Sequence, residues 1–234
     1  MGNKKMITKE QFLNKVKEIK FDGITPNIKA DVSKTNRNKV SWAKTDFPTK
    51  KELSSLSTVE GMSTAANCYL INEICKSLSK DELYLNIGVW NGLTYFAGLI
   101  NTNCKAIGVD NFSQFGGPKD NFLNHYNKYK RKDSEFYDID YIDYFKTHKD
   151  KIDFYFYDGH HSYANQYKAI IQAAPFLKQG SLVLIDDTNG DAPKNATLNA
   201  FKDLNLDYDT WFDITTAHNG HPTYWNGLIL CQII

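Results

Sequence analysis

Acidic residues and two adjacent histidines follow two apolar runs in the second half of the chain. Asp158 and His161 stand in the stretch YDGHHSY, and Asp186 and Asp187 end the run GSLVLIDD. Three carboxylates that meet at one place repel one another unless they are protonated or bridged by a cation. A hard divalent ion such as Mg²⁺ prefers oxygen ligands and would relieve that repulsion. Asp158, Asp186 and Asp187 are therefore candidate metal ligands.

Strand geometry sets a condition on this candidate site. Successive residues of a regular strand face opposite sides, so Asp186 and Asp187 can share an ion only if the chain has left strand geometry there. The structural alternative is that one of the two carboxylates points to solvent or caps the next helix. For the histidines, the alternative is a polar turn in which the rings bond to backbone carbonyls.

A glycine turn precedes the acidic segments, in the stretch LYLNIGVWNG. Gly88 and Gly92 allow backbone N–H groups to approach a ligand, and Asp110 follows Gly88 by 22 residues. An acidic residue about 20 residues after such a turn, at the end of the second strand, can accept hydrogen bonds from ribose hydroxyls. Each residue alone has a structural explanation, but together they favour nucleoside binding. Asp140 and Tyr141, at the end of the third strand, are equally consistent with an adenine contact and with a helix cap.

The elements that must position these residues alternate along the chain. Short apolar runs predict strands at 83–88, 105–110, 135–140, 152–158 and 180–187. Helical spacing predicts helices at 64–79, 92–101, 119–131, 141–149 and 162–178. Two further strand-like runs, 208–218 and 224–234, predict a terminal antiparallel hairpin. This alternation predicts an α/β fold, with a Rossmann-like, doubly wound and mostly parallel seven-stranded sheet.

The N-terminal part of the chain has a different character. Residues 8–20 predict a short amphipathic helix, and residues 21–60 are polar, contain Pro26 and Pro48 and predict an irregular arm. We therefore divide the chain into an N-terminal helix and arm, 1–60, and one domain, 61–234. Trp42 and Phe47 of the arm are candidates to close over a substrate or to form an oligomer contact.

Composition narrows the classes of partner. The formal net charge is +1, so we expect neither a nucleic acid nor an anionic membrane as a partner. Only Arg37 and Arg131 are arginines, which disfavours bidentate readout of phosphates or bases. The four cysteines have no C-x-x-C spacing, and no window approaches the roughly 18 apolar residues of a membrane span. We expect a cytoplasmic protein.

The pattern resembles the class I S-adenosylmethionine-dependent methyltransferases over roughly residues 60 to 234. It is most similar to their small-molecule O-methyltransferase branch, which includes macrocin O-methyltransferase and cephalosporin-hydroxylase-like proteins. The resemblance rests on LYLNIGVWNG, on GVD at the second strand, and above all on YDGHHSY followed by LIDD.

The resemblance implies a set of residues that bind the cofactor S-adenosyl-L-methionine. They are Asn86, Gly88, Gly92, Asp110, Asn111, Asp140, Tyr141 and Asp158. Gly88 and Gly92 would lie under the methionine part of the cofactor, and Asp110 would hold its ribose. Asp140 and Tyr141 would border the adenine.

The resemblance also implies the chemistry of the acidic segments. Asp158, Asp186 and Asp187 match the positions that bind Mg²⁺ or a similar divalent cation in metal-dependent members of the branch. His161, three residues after Asp158, matches the family's candidate base, so His161 and Asp158 are the candidate catalytic residues. One departure is Asn86, because the family commonly has an acidic residue at that position.

The leading hypothesis is a metal-assisted O-methyltransferase that acts on a small hydroxylated acceptor, a sugar or a secondary metabolite. The alternative, motivated by Asn86, is a non-catalytic protein that binds S-adenosylmethionine. A nicotinamide-dependent oxidoreductase is disfavoured because the first loop reads G-x-x-x-G and not G-x-G-x-x-G. A homo-oligomer is left open.

Overall fold

The structure is a computed structural model that describes residues 6–33 and 36–234. Its helices are α1 (Lys9–Glu18), α2 (Arg37–Lys44), α3 (Lys50–Leu53), α4 (Ala65–Ser77), α5 (Leu93–Ala97), α6 (Lys119–Tyr129), α7 (Tyr141–Thr147), α8 (Tyr163–Ala173) and α9 (Asp191–Asp203). Its strands are β1 (Lys20–Phe21), β2 (Thr45–Asp46), β3 (Leu83–Ile87), β4 (Lys105–Asp110), β5 (Ser134–Asp138), β6 (Ile152–Tyr157), β7 (Leu177–Asp186), β8 (Tyr208–Ile214) and β9 (Leu228–Ile233).

The central sheet has seven strands in the order β5-β4-β3-β6-β7-β9-β8. Strands β3 to β7 pair in parallel, whereas β9 pairs antiparallel to both β7 and β8. The chain moves outward from β3 to β5 and then returns to the other side of β3 with β6. The order therefore reverses between β3 and β6, and ligands bind at such a reversal in open α/β sheets. The predicted fold class, including the terminal hairpin, is confirmed.

The central strands are buried on both faces, which is why they read as apolar runs. Alternate residues enter two separate cores. One core holds Tyr84, Phe154 and Leu184 together with helices α1, α4, α5 and α6. The other holds residues such as Leu85 and Tyr155 together with helices α7, α8 and α9. This double burial fixes the strands rigidly and so fixes the loops at their ends.

The N-terminal arm is more regular than the sequence predicts. Residues 21–60 contain helices α2 and α3, a 3₁₀ helix at Ser54–Thr58, and strand β2, which pairs with β1. These elements have eight residues or fewer, too short for a helical or strand period to emerge from the sequence. The prediction of an irregular arm is wrong in the described part of this range.

The two aromatic residues of the arm belong to the protein core. Trp42 and Phe47 are only 6% and 4% exposed, and the Phe47 ring stacks on Tyr69 of α4 with centroids 4.6 Å apart. Neither side chain is free to close over a substrate or to contact a second subunit. Hydrophobic burial accounts for these two side chains, while the role of the arm as a whole stays a prediction.

Helix α9 was not predicted from the sequence, and the two strands of the terminal hairpin were predicted too long. The buried residues Ala196 and Ala200 lie four apart on α9, and Pro193 stands in its first turn, so a helical signal was present. Strands β8 and β9 are shorter than predicted and enclose a long loop, residues 215–227. That loop reaches the functional site described below.

Two further properties of the described residues concern membrane-spanning helices and cysteines. None of the described helices is long and apolar enough to cross a membrane. All four cysteines are free thiols and are buried.

Candidate active site

A cavity of about 460 Å³ opens beyond the carboxyl ends of the parallel strands. Its lining includes Gly88, Asp110, Asp158, His161 and Asp187, which follow or end four different strands. The cavity therefore lies at the reversal of strand order and within the usual size range of small-molecule sites.

The glycine turn is shaped by close backbone packing. Gly88 has φ +83°, and a Cβ there would lie 2.1 Å from the backbone oxygen of Asp158. Gly92 has φ +94° and caps α5, where a Cβ would collide with the ring of Phe96. Both positions thus require glycine for the turn itself. Gly88 lines the cavity, whereas Gly92 lies behind it and supports the start of α5.

Asp110 ties the glycine turn to the loop that follows β4. Its Oδ2 accepts a hydrogen bond from the Trp90 backbone N–H at 2.8 Å, and its Oδ1 accepts one from the Phe112 N–H at 2.7 Å. A carboxylate oxygen has more than one lone pair, so Asp110 keeps capacity for a ribose hydroxyl. Asp110 also lines the cavity.

Asp140 and Asn111 form a second tie on the same side of the cavity. Asp140 caps α7, where its Oδ1 accepts from the Ile142 N–H at 2.9 Å, and its Oδ2 accepts from Asn111 Nδ2 at 3.1 Å. The helix-cap alternative is therefore present in the structure. Tyr141 also lines the cavity, and burial raises its pKa to about 12. It remains a neutral hydrogen-bonding group at physiological pH.

Asn86 lies behind the glycine turn and is fully buried. Its Oδ1 accepts from Thr94 Oγ1 at 3.2 Å and from the Tyr84 hydroxyl at 3.3 Å. Its Nδ2 donates to the carbonyl of Gly88 at 3.4 Å. The side chain is not among the residues that line the cavity, so it can act on a ligand only through the backbone of the turn.

The acidic segments meet, because the chain leaves strand geometry after Asp186. Asp187 has φ +60°, in the left-handed region that Asp and Asn enter more readily than most residues. Asp158 and Asp186 are close enough for the charge of Asp158 to raise the pKa of Asp186. His161 Nε2 lies 3.6 Å from Asp158 Oδ1 and 3.6 Å from Asp187 Oδ2. The structure thus brings together the four residues that the sequence singles out.

Burial dominates the electrostatics of this cluster. Asp186 is 1% exposed, and desolvation followed by repulsion from Asp158 and Asp187 holds its pKa well above the usual range. Desolvation and the Asp187 carboxylate raise the pKa of Asp158 in the same way. Burial also raises the pKa of Asp187, against the opposing effect of His161. Protonation of one of these carboxyl groups would relieve the repulsion without a cation.

The predicted metal site is not supported by this arrangement. Asp186 Oδ1 and Asp187 Oδ1 are buried without a hydrogen-bond partner, which suits a cation in the kind of donor atom they offer. Within residues 6–33 and 36–234, however, no three His, Cys, Asp or Glu side chains are placed to hold a metal together. As they stand, Asp158, Asp186 and Asp187 form a cluster of carboxyl groups whose pKa values are all raised.

Several cavity residues escaped the sequence analysis because they are distant in the chain. Arg37 comes from α2, Ser63 precedes α4, and Asn219 and Trp225 belong to the loop between β8 and β9. No spacing rule connects such positions. The rarity of arginine in this chain was the one available signal for Arg37.

Comparison with known families gives one match. Residues 85–188, from β3 to just past β7, match the family described as a methyltransferase domain. The matched range contains the glycine turn, Asp110, Asp140 and the acidic cluster. Comparison with curated proteins finds no matching sequence.

Solved structures with a similar fold include three that are described as methyltransferases. An O-methyltransferase from Bacillus cereus in complex with SAH is 10% identical, with a TM-score of 0.57 over 80% of this chain and 92% of that one. A putative O-methyltransferase from Klebsiella pneumoniae is 9% identical, with a TM-score of 0.55 over 78% and 86%. An SAH-bound methyltransferase from Podospora anserina is 13% identical, with a TM-score of 0.57 over 79% and 86%. At these identities the likeness establishes the fold.

Proposed function

We propose that the chain transfers the methyl group of S-adenosyl-L-methionine to a hydroxyl oxygen of a small acceptor, because residues 85–188 match a methyltransferase domain and the fold is that of an O-methyltransferase of known structure. One observation carries the proposal. The glycine turn with Asp110 and the cluster around His161 line the same cavity, at the reversal of strand order. A cofactor site and a proton-accepting group thus face one enclosed space.

The residues on the β3–β5 side fit the cofactor. Gly88 and the adjacent turn offer an open backbone edge for the methionine part, and Asp110 retains hydrogen-bonding capacity for the ribose. Tyr141 and Ile139 offer a partly apolar wall for the adenine. When bound, S-adenosyl-L-methionine supplies an electrophilic methyl group on its sulfonium.

The residues on the β6–β7 side fit the acceptor. In the overall reaction a bond forms between the acceptor oxygen and the methyl carbon, the carbon–sulfur bond breaks, and the hydroxyl proton must leave. His161 receives that proton in our proposal, and Asp158 Oδ1 and Asp187 Oδ2, each 3.6 Å from its Nε2, orient the ring. The carboxyl groups and the imidazole on this side can hydrogen-bond a hydroxylated acceptor such as a sugar or a secondary metabolite.

Binding and turnover of paired histidine variants test the proposal. Calorimetry should detect S-adenosylhomocysteine (SAH) binding to the wild type, to His161→Ala and to His160→Ala. His160 is a matched control, since it is adjacent and lines the same cavity but is exposed, and its Nδ1 accepts from the Ser162 N–H of its own turn. Methyl transfer to a panel of hydroxylated acceptors should fail only in His161→Ala. No SAH binding to the wild type would contradict the proposal.

The non-catalytic alternative gives the opposite result in the same experiment. A protein that only binds the cofactor would bind SAH but transfer no methyl group to any acceptor. His161→Ala would then change nothing. The match to a methyltransferase domain favours the enzyme.

Metal assistance remains a separate prediction of the sequence, with its own test. Turnover that EDTA abolishes and Mg²⁺ restores would support it, together with calorimetric binding of Mg²⁺ to the SAH-loaded protein. Turnover that survives EDTA would contradict it. The orphaned oxygens of Asp186 and Asp187 make the experiment worthwhile.

A further inference from the structure

Arg37 places an unpaired cation in the wall of the cavity. The residue begins α2 and lines the cavity. Its Nε atom is buried without a hydrogen-bond partner, and its guanidinium makes no ion pair with any residue in the described part of the chain. A buried donor without an acceptor is costly, so the arrangement is incomplete until an acceptor atom is supplied.

The surrounding residues hold the guanidinium without using its N–H groups. Its Cζ lies 5.9 Å from the centroid of the Trp225 ring, in a cation–π contact. Gly220 leaves the space that the group occupies, because a Cβ there would lie 2.0 Å from Arg37 Nη1. The guanidinium thus packs against the Trp225 ring and the backbone of Gly220, and its N–H donors stay available to a ligand.

The cation lies on the acceptor side of the cavity. Trp225 precedes Asn226, whose carbonyl accepts a hydrogen bond from the Asn189 N–H. Asn189 stands two residues after Asp187, and Asp187 lies beside His161. The loop that holds Trp225 and Asn226 connects β8 to β9, and β9 pairs with β7. Asp110 and Asp140 lie on the cofactor side, next to β4 and β5. These two strands form the other half of the sheet, beyond β3. A group bound by Arg37 would therefore lie near the proton-accepting histidine and away from the nucleoside end.

We propose that Arg37 binds an anionic group of the acceptor, a carboxylate or a phosphate, and so selects hydroxylated acids or phosphorylated hydroxyl compounds over neutral ones. This inference rests on the proposed function, since it names the substrate class of the same site. The planar fork of arginine matches both oxyanions with two parallel hydrogen bonds. Binding would satisfy the Nε donor and hold the acceptor at a fixed distance from His161.

The test uses inorganic phosphate as the probe, titrated calorimetrically into the full-length protein saturated with SAH. SAH then occupies the cofactor side, so phosphate that binds in the cavity must bind in the part that SAH leaves free. Wild type should bind phosphate, and Arg37→Gln should weaken binding about tenfold or more, because charge-assisted hydrogen bonds are lost. Lys39→Gln is the matched control, since it removes one charge from the exposed side of the same helix and should leave binding unchanged.

Two further measurements separate this inference from other outcomes. Arg37→Lys keeps the charge without the fork and should bind phosphate with intermediate affinity, while thermal melting confirms that both variants are folded. SAH affinity should stay within about twofold of wild type in Arg37→Gln, since the neutralised group lies off the cofactor side. A loss of SAH affinity without a loss of affinity for 5′-methylthioadenosine would assign Arg37 to the cofactor carboxylate and overturn the proposal.

The failure of this inference differs from the failure of the proposed function. SAH binding without any phosphate binding to the wild type would overturn the role of Arg37 alone. No SAH binding to the wild type would overturn the methyltransferase proposal itself. Equal phosphate binding by wild type and Arg37→Gln would also refute the inference, because the anion would then be held elsewhere.

Discussion

The two ends of the cavity use their carboxylates in opposite ways. On the β4–β5 side, Asp110 and Asp140 accept hydrogen bonds from backbone N–H groups of the loops they support. On the β6–β7 side, Asp158, Asp186 and Asp187 face one another and a histidine, and two carboxylate oxygens have no partner. The first end is complete as a structure, whereas the second carries unsatisfied groups that favour a reactive role.

The difference shows how one residue type acquires two functions. A carboxylate that accepts backbone hydrogen bonds fixes the local chain. A carboxylate buried beside other carboxylates is disfavoured in its charged form, and the pKa of Asp158 and Asp186 rises accordingly. The first kind shapes the wall of the cavity, and the second kind suits the proton transfer that we propose.

The largest expected effect comes from removing the proton acceptor at the reactive end. His161→Gln should lower kcat by roughly 10²- to 10⁴-fold, the usual contribution of a general base. SAH affinity should stay within about twofold of wild type, since His161 lies with the acidic cluster and not with the glycine turn. Steady-state kinetics and calorimetry on the same preparation check both values. Equal losses of SAH affinity and kcat would erase the distinction between the two ends.

The next effect comes from the structural end. Asp110→Ala removes the acceptor for two backbone amides, so the free energy of unfolding should fall by about 2 kcal/mol. SAH affinity should fall by roughly tenfold or more, because the turn and the loop lose their tie. Chemical denaturation and calorimetry give the two numbers. Asp120→Ala, an exposed carboxylate on α6, serves as the control and should change neither.

A stabilising substitution is expected at the reactive end. The pKa of Asp186 is raised in the folded state, so folded protein holds a proton that the unfolded chain releases above about pH 4. Stability from this group is therefore full at acidic pH and declines as pH rises towards the folded pKa. Asp186→Asn removes the decline and should raise the free energy of unfolding by about 1 kcal/mol at pH 8.

The pH series is the check on this prediction. Denaturation of wild type and Asp186→Asn at several pH values should give a difference that grows with pH and vanishes near pH 4. A difference that is constant with pH would mean that the carboxylate is not held protonated by its surroundings. Asp203→Asn, on the far end of α9, should show no such trend.

The smallest effect concerns an exposed contact of the structural end. Asn111 is exposed and donates a hydrogen bond to Asp140. Asn111→Ala should lower the free energy of unfolding by less than about 0.5 kcal/mol, since water replaces an exposed hydrogen bond. A loss of unfolding free energy above about 1 kcal/mol would show that the hydrogen bond between Asn111 and Asp140 also supports other contacts between the two loops.

The sequence predicts the parts of this site that depend on strand ends. Apolar runs locate β3 to β7, and parallel strands place Gly88, Asp110 and Asp158 along one edge of the sheet. The meeting of Asp158 with Asp187 depends on one backbone angle at Asp187, which no pattern of residue types encodes. The cap formed by Asp140 was one of two readings that the sequence left equal.

Other features escaped because they arise from tertiary packing. Helix α2 is too short to show a period, and its residues divide between the core, where Trp42 lies, and the cavity, where Arg37 lies. Arg37 contacts the Trp225 ring although most of the chain separates the two residues in sequence, and spacing rules cannot anticipate such a contact. The sequence left two roles of the arm open, closure over an acceptor or an oligomer contact, and the structure places its Arg37 in the wall of the cavity.

The left-handed backbone at Asp187 also narrows how this site can evolve. The conformation admits few residues other than Gly, Asn and Asp, so the fold and the chemistry place their demands on the same position. An exchange of Asp for Asn would keep the turn and remove the charge in one step. A lineage could therefore pass from a proton-exchanging site to a purely binding one by a single substitution, with the scaffold left intact.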